Sequence, residues 1–431
     1  MTDLLAGIRV LDFTLAAVGP FCSRILSDLG AEVIHVEFPR ARWADVAEQP
    51  ETRFPPGIAD GTATRGEQLF LHTNGGKKSL AVNLKDPRGV QLIWDLIPQT
   101  DIVVENMTPR VMQGLGLSYA TLSDINPRLV MCSLTGFGQA GLDGDLGRPC
   151  SDPTAQAMSG MNWSTGEREP GAPYAVGGGI GDPISSLSGV IGILAALNGR
   201  NTTGTGQHID ISMVEANLFV DCTTLPAVAM AGSAEHAPFR NGQQNSYTFP
   251  MGPFKCTGGY VSIQAPGSGA GSPWARLCSL MDRDDLVTNE AFRTDADRLQ
   301  RTPEVIAIIE AWLCSLDSRE AALEHLAEQR ISAGPVLSHE EMLTHPFFEQ
   351  RGTFGTVNYP GIGDVGVVQP PFKFSDAADH VRGRAPEVGE HTREILAAYL
   401  DMTEPQIDEL MADNVLTESV GAIRMREAAA P

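Results

Sequence analysis

The sequence predicts an α/β fold: an open, mostly parallel sheet with helices on its faces, and then a smaller domain of different character. Three observations predict it. Residues 7–37 spell strand, helix, strand within about 30 residues, the βαβ unit of a parallel sheet. The same alternation recurs to residue 150. Near residue 230 it gives way to a hairpin pattern and a glycine-rich run, Pro266-Gly-Ser-Gly-Ala-Gly-Ser272.

In order, Ile8 to Phe13 is a short apolar strand. Pro20 suits a first helical turn, and Phe21, Ile25, Leu26 and Leu29 recur at helical spacing up to a stop at Gly30. Strands follow at Glu32–Val36, Ser79–Leu84, Asp101–Glu105 and Leu129–Leu134, with helices after Asp86-Pro87 and at Pro109–Leu115. Residues 135–181 read as long loops around one helix near Asp152–Ser159, and long loops in compact domains are usually functional or mobile. A helix at 184–200 is rich in Gly, Ala and Leu, which predicts tight packing. A strand at 207–213 and a helix to about Met230 follow. The smaller domain holds the hairpin Phe249–Ala265 and helices near 273–281, 303–316 and 319–328. The predicted division is a large domain over 1–225, completed by 333–431, and a small domain over 226–332.

Composition limits the function. The 431 residues carry 31 Lys plus Arg against 53 Asp plus Glu, a net charge of -22, which repels nucleic acid and anionic membrane. Seven cysteines, none spaced C-x-x-C, argue against a zinc site and a disulfide framework. No histidine pair has metal-binding spacing, and no metal is expected. The N-terminus lacks a signal-peptide pattern, and no run reads as a membrane span, so a cytoplasmic protein is expected.

Three constellations could carry chemistry. In Gly177-Gly-Gly-Ile-Gly-Asp182-Pro, glycines precede one acid at the mouth of a helix. Either Asp182 is a reactive carboxylate on a turn whose N–H groups face a ligand, or it caps the helix beginning at Pro183. Asp152 reads locally as an ordinary N-cap. Gly75-Gly-Lys-Lys78 with Lys85 is either a phosphate-binding turn or a solvated basic one. Phosphate-loop, dinucleotide-fingerprint and serine-elbow motifs are lacking.

Taken in series, the motifs resemble the class III CoA-transferases, which include formyl-CoA transferase and carnitine CoA-transferase. The matching stretches are Gly7-Ile-Arg-Val-Leu-Asp-Phe-Thr14, Gly19-Pro20, Leu29-Gly-Ala-Glu-Val-Ile34, Lys77-Lys-Ser79, Asn83-Leu-Lys85 and Val104-Glu-Asn106. Gly136-Phe-Gly-Gln139, Gln156-Ala-Met-Ser-Gly160, Gly181-Asp182, Thr203-Gly-Thr-Gly-Gln207, Gly334-Pro-Val336, Pro371-Phe-Lys-Phe374 and Gly389-Glu-His391 continue the series. They span nearly the whole chain.

The resemblance implies a Rossmann-like large domain, a smaller α+β domain and an interlocked dimer. It implies coenzyme A, as the acyl-CoA substrate, with a carboxylic acid as the second substrate. It casts Asp182 as a covalent nucleophile, with Asp152 at an acidic active-site position. CoA would be held by Ala16, Ala17, Val18, Val82, Lys85, Asn106, Met107 and Thr108. Arg40 and Arg110 would serve its phosphates, because the arginine positions of formyl-CoA transferase are Phe38 and Gly114 here. Ala17 stands where that enzyme has Gln, which separates this chain from a formyl-CoA and oxalate specificity. Gly267, Gly269 and Gly271 would belong to a lid over the substrate, and Arg148 or Arg168 would pair with the distal carboxylate of a dicarboxylic acid. Two other readings share the fold. An α-methylacyl-CoA racemase would need a second acid/base group where Ser151 stands. A non-catalytic subunit of a heteromer, in place of a homodimer, would be expected to lack Asp182.

Overall fold

The apolar segments form one sheet in the computed structural model of the chain, which describes residues 3–38, 65–142, 147–232, 240–360, 362–376 and 381–418. Its strands are β1 (Arg9–Phe13), β2 (Glu32–Glu37), β3 (Lys78–Val82), β4 (Ile102–Glu105), β5 (Val130–Thr135) and β6 (His208–Ser212). They lie in the order β3-β2-β1-β4-β5-β6, all parallel, with Leu416–Thr417 antiparallel beside β3. The chain therefore winds outward from β1 in one direction and then from β4 in the other. Ligands of such sheets bind beyond the carboxyl ends of the strands at that switch.

Both faces of the sheet are apolar, as a covered parallel sheet requires. Leu11, Ile34 and Val103 face one core with Leu92, Ile93 and Leu96 of α2 (Pro87–Leu96). Val10, Val33, Ile102 and Val104 face the other, with Cys22, Ile25 and Leu26 of α1 (Val18–Asp28). The start of α2 follows from Asp86, whose side chain accepts the Arg88 N–H at 2.9 Å, and from Pro87 in the first turn.

Helix α3 covers Asp152–Met158 and α4 covers Gly181–Thr203. The small residues of α4 act as expected. A side chain on Gly189 would lie 3.0 Å from Leu134 Cδ2 and 3.3 Å from Cys22 Sγ, so α4 packs closely on β5 and α1. One expectation fails here. Gly177–Thr203 is long and apolar enough to cross a membrane by length and composition, with mean hydropathy 1.6. It nevertheless places Val190, Ile193 and the polar Ser185, Ser186 and Arg200 inside the protein, which reads as the helix of a packed core.

The helix expected to run to Met230 is two. After α5 (Met213–Phe219), the Asp221 carboxylate accepts N–H bonds from Thr223, Thr224 and Leu225 and starts a new helix at Thr224.

The chain divides into two compact units, Met1–Ala155 with Gly179–Asn217 and Pro346–Pro431, and Gln156–Gly178 with Leu218–His345. The second unit is built on the antiparallel strands β7 (Met251–Cys256), β8 (Gly259–Gln264) and β9 (Ser332–Pro335). Because β9 pairs with β8, residues 332–335 complete this sheet, whereas the sequence places residues from 333 onward with the large domain. Around it lie α6 (Pro273–Leu280), α7 (Asp295–Gln300) and two longer helices, sharing a core that includes Phe254, Trp274, Ile309 and Leu326.

Candidate active site

The site is assembled at the carboxyl ends of β1 and β4. Beyond β1 the chain turns sharply through Ala16, which adopts a left-handed φ of 63°. Beyond β4, the Asn106 amide bridges the two loops: its Oδ1 accepts the Leu15 N–H and its Nδ2 donates to the Leu15 carbonyl, both at 2.8 Å. The Ala16–Val18 turn and the Asn106–Thr108 turn, assigned separately to CoA from the sequence, are thus tied together at the switch of the sheet. Ala16 and Thr108 are exposed, whereas Val18 is buried.

The second turn is fixed from below. Glu105 is buried, accepts the Met107 N–H at 2.8 Å, and has its carboxyl pushed up to about 7 by burial, with Asp210 adding to the rise. The sequence places Glu105 at the end of a buried strand and within the stretch Val104-Glu-Asn106, but nothing local reveals that its carboxylate holds the Met107 N–H.

The nucleophile candidate lies at the start of α4, which is joined to the β1 turn by Ser186: its hydroxyl donates to the Val18 carbonyl at 2.6 Å. Ile180 fills the cap position, so Asp182 is the second helical residue, not the cap expected from Pro183. Its carboxylate accepts no hydrogen bond among the described residues. Its backbone N–H donates to Asp152 Oδ1 at 3.0 Å. Asp152 opens α3 and presents its carboxylate to Asp182 across 30 residues of sequence.

Burial, and then the Asp152 charge, push the Asp182 carboxyl from 3.8 up to about 6. The start of a long helix favours an anion, but here those two effects prevail. Asp182 is thus ionised at neutral pH and more basic than a free aspartate. The thiol of Cys150 is raised by burial, then by Asp182, while Arg148 lowers it, so both charges reach this cysteine.

Gly181 lets these groups meet. A Cβ there would stand 2.7 Å from Asp152 Oδ1 and 3.0 Å from Asn217 Nδ2. Asn217, at the end of α5, is buried, donates to the Met213 carbonyl at 2.8 Å, and its Oδ1 has no hydrogen-bond partner among the described residues. No local motif marks it, since it is 35 residues beyond Asp182 in an ordinary helical pattern.

Other sequence assignments fall elsewhere. Val82 and Lys85 lie at the carboxyl end of β3, two strands from β1; the Val82 side chain is wholly in the core, so only its backbone can meet a ligand, while Lys85 is exposed. Lys77 is neither a phosphate ligand nor a solvated lysine: it is buried in an ion pair with Asp12 at 2.9 Å. Arg110 is exposed at the Asn106 loop with a φ of 77°, and Arg40 lies outside the described residues. Arg148 is exposed, its guanidinium 4.9 Å from the Phe137 ring centre. Arg168 instead donates to the Asn241 side chain and to the Leu299 carbonyl in the second unit. Gly267, Gly269 and Gly271, also in that unit, all have left-handed φ, of 98°, 79° and 79°.

With this geometry in view, comparison with known proteins settles the family. The family model described as CoA-transferase family III matches residues 5–392. This chain belongs to CoA-transferase family III. It is 32% identical over 392 residues to a succinyl-CoA:mesaconate CoA-transferase of Haloarcula marismortui, covering 90% of this chain and 94% of the relative. It is 31% identical to a succinyl-CoA:glutarate CoA-transferase of Mus musculus, covering 96% of this chain and 90% of the relative. Among solved structures, a CAIB/BAIF family protein from Brucella suis superposes with a TM-score of 0.76 at 29% identity, covering 92% of this chain and 99% of that one. Family III enzymes use CoA thioesters, so the chain is a CoA-transferase by family.

Proposed function

We propose that the protein moves CoA from an acyl-CoA donor to a carboxylic acid through covalent intermediates on Asp182. The observation that carries the reading is the Asp182 carboxylate itself: at a helix mouth, with no hydrogen bond to quench it among the described residues, and raised to about 6. A charge of that basicity is a competent nucleophile at neutral pH, and covalent catalysis divides one hard exchange into easier ones.

In this reading a carboxylate oxygen of Asp182 bonds to the thioester carbon and the C–S bond breaks. That gives an aspartyl–acyl anhydride and the CoA thiolate. The thiolate attacks the aspartyl carbonyl, the donor acid leaves as its carboxylate, and an aspartyl-CoA thioester remains. The acceptor carboxylate attacks that thioester and releases the thiolate, which then takes the acceptor acyl group and frees Asp182. No proton is gained or lost over the cycle. The anhydride must be shielded from water, and the loop holding Gly267, Gly269 and Gly271 is the proposed shield. Asp152 holds the Asp182 backbone and, by its charge, keeps the nucleophile basic. CoA is proposed to lie along Ala16–Val18 and Asn106–Thr108.

The proposed substrates are dicarboxylic. Both named relatives use succinyl-CoA in their titular reactions. Arg148 is the cation that shares Cys150 with Asp182, whereas Arg168 is engaged elsewhere. A homodimer is proposed as well. Leu187, Ile191 and Leu194 of α4 form an exposed apolar stripe, Ile191 at 69% exposure, which a second copy would cover.

The test is to incubate the protein with acetyl-, propionyl-, succinyl- or cinnamoyl-CoA and a panel of isotopically labelled carboxylic acids, and to look for labelled acyl-CoA. Succinyl-CoA with a dicarboxylate is expected to give product, and Arg148→Ala to raise the acceptor KM. Unchanged KM for every dicarboxylate acceptor would sink the role of Arg148.

A further inference from the structure

The Asn106–Thr108 turn is held at two successive residues from two directions. The Asn106 side chain reaches the loop after β1, while the Met107 N–H donates to Glu105 Oε2 at 2.8 Å. The Met107 side chain packs, partly buried, on the core, and the Thr108 carbonyl accepts the Val111 N–H at 3.1 Å. Of the three turn residues Thr108 is the exposed one.

Glu105 is itself anchored from the next two strands. It pairs in register with Ser133 of β5, which pairs with Asp210 of β6, so three polar residues form one row at the carboxyl end of the sheet. Glu105 and Ser133 are both buried, and the Ser133 hydroxyl is hydrogen-bonded to the Glu105 carboxyl. Ser133 Oγ also lies 3.0 Å from His208 Nε2, and the His208 ring stacks on Tyr119 with centres 5.3 Å apart. From the loop after β5, Gln139 Nε2 approaches Glu105 Oε1 at 3.4 Å, and the Gln139 backbone N–H donates to the Asp210 carboxylate at 2.9 Å.

Ser133 has one hydroxyl proton and two neighbours. When it donates to an ionised Glu105, its oxygen is left to accept from His208 Nε2–H. When Glu105 is protonated, Ser133 accepts that proton's hydrogen bond and donates to His208 Nε2 instead. A neutral imidazole serves either arrangement by changing tautomer. Glu105 therefore stays paired in both charge states, and in both it keeps an acceptor oxygen for the Met107 N–H. A buried network satisfied at every member holds one geometry.

We propose that Glu105 is a positioning residue for coenzyme A: its carboxyl oxygen, backed by Ser133 and His208, fixes the Met107 amide and so sets the shape of the turn on which CoA lies. The inference rests on the proposed placement of CoA along Asn106–Thr108. Nothing in it requires the charge of Glu105, so Glu105→Gln keeps the hold, whereas Glu105→Leu, of similar size, removes it.

The experiment uses the full chain and two probes. One is amide hydrogen exchange of the segment 106–108, with and without free CoA. The other is the transfer assay with succinyl-CoA and glutarate, read as KM and kcat separately. Glu105→Leu should speed exchange of the turn by about tenfold without ligand and raise the KM for succinyl-CoA about tenfold, with kcat within about twofold of wild type. Glu105→Gln should restore both exchange and KM. Should Glu105→Leu fail to fold, Ser133→Ala withdraws the support beneath Glu105 and is expected to move exchange and KM in the same direction. Unchanged exchange in the folded variants overturns the hold on the turn. Faster exchange with an unchanged KM overturns its role in binding CoA. A Gln variant that behaves like Leu, or a kcat that falls as far as KM rises, overturns the acceptor oxygen as the cause. Free CoA that leaves exchange of 106–108 unchanged in the wild type would instead remove CoA from this turn, a separate failure of the reading beneath.

Discussion

Asp12 and Asp182 are both aspartates drawn out of water beside the same sheet, and they come out with opposite chemistry. Asp12 is completely buried and accepts from the Thr14 N–H at 2.9 Å, Ser23 Oγ at 2.7 Å and Lys77 Nζ at 2.9 Å. Burial alone would raise its carboxyl, but the Lys77 ammonium and then His35, whose Nδ1 is 3.3 Å away, hold it far below the usual range. Lys77 completes its own set with the Pro20 carbonyl at 3.0 Å and Asn74 Oδ1 at 2.8 Å. Among the described residues no cation lowers Asp182 and another carboxylate raises it, so the same burial wins. A satisfied buried charge fixes structure; an unsatisfied one retains reactivity.

Substitutions can break this contrast. The largest expected effect is Asp182→Ala, which should cut CoA transfer by about 10⁴-fold or more, as loss of a covalent nucleophile does, with no loss of stability in thermal unfolding. Next is Lys77→Met. It leaves Asp12 charged and buried without its partner, so a loss of about 3–5 kcal/mol is expected in denaturant titration. Because the Asp12 carboxyl is depressed, its contribution to stability is full above the unfolded value of 3.8 and disappears as pH falls below it. The wild type should therefore lose more stability than the variant on acidification through that range.

Gly181→Ala sharpens the comparison from the other side. Its Cβ would meet Asp152 Oδ1 and the Asn217 amide, both of which must shift. A displacement of that size near the reacting group should lower kcat about 100-fold, measured in the transfer assay. The smallest effect is on stability. The raised carboxyl of Asp182 destabilises the fold when ionised, fully above about pH 6, and the cost fades as pH falls toward 3.8. Asp182→Asn should therefore stabilise the protein at pH 7 by about 1 kcal/mol, after allowance for solvent screening. In the wild type kcat/KM should rise with pH through about 6, and Asp152→Asn should move that limb to lower pH.

Much of the architecture was legible because parallel strands and their helices announce themselves locally. Apolar runs such as Ile-Val-Val-Glu105 and Asp86-Pro87 at a helix start needed no tertiary information. The outer limits of α4 and the break before Thr224 were not legible, since both depend on which side chain takes the first N–H groups of a helix. At the site, Asp182 stood out through its glycines, yet its apparent role as a cap was a local illusion: the helix starts earlier, at Gly181. Lys77 misled in the reverse sense, because a lysine after two glycines looks solvated until Asp12, 65 positions earlier, is seen to meet it. Asn217 and Glu105 were missed because their significance lies in partners from distant segments, Gly181 for one and Met107 with Asp210 for the other.

The central claim is that Asp182 attacks the thioester, and the direct measurement is the intact mass of the protein after incubation with succinyl-CoA, with Asp182→Ala alongside. The mechanism predicts an adduct of CoA or acyl mass on the wild type alone, mapping to the peptide that contains Asp182. No adduct, together with exchange of the donor α-proton in deuterated water that is lost in Asp182→Ala, would contradict it and assign Asp182 to proton transfer instead.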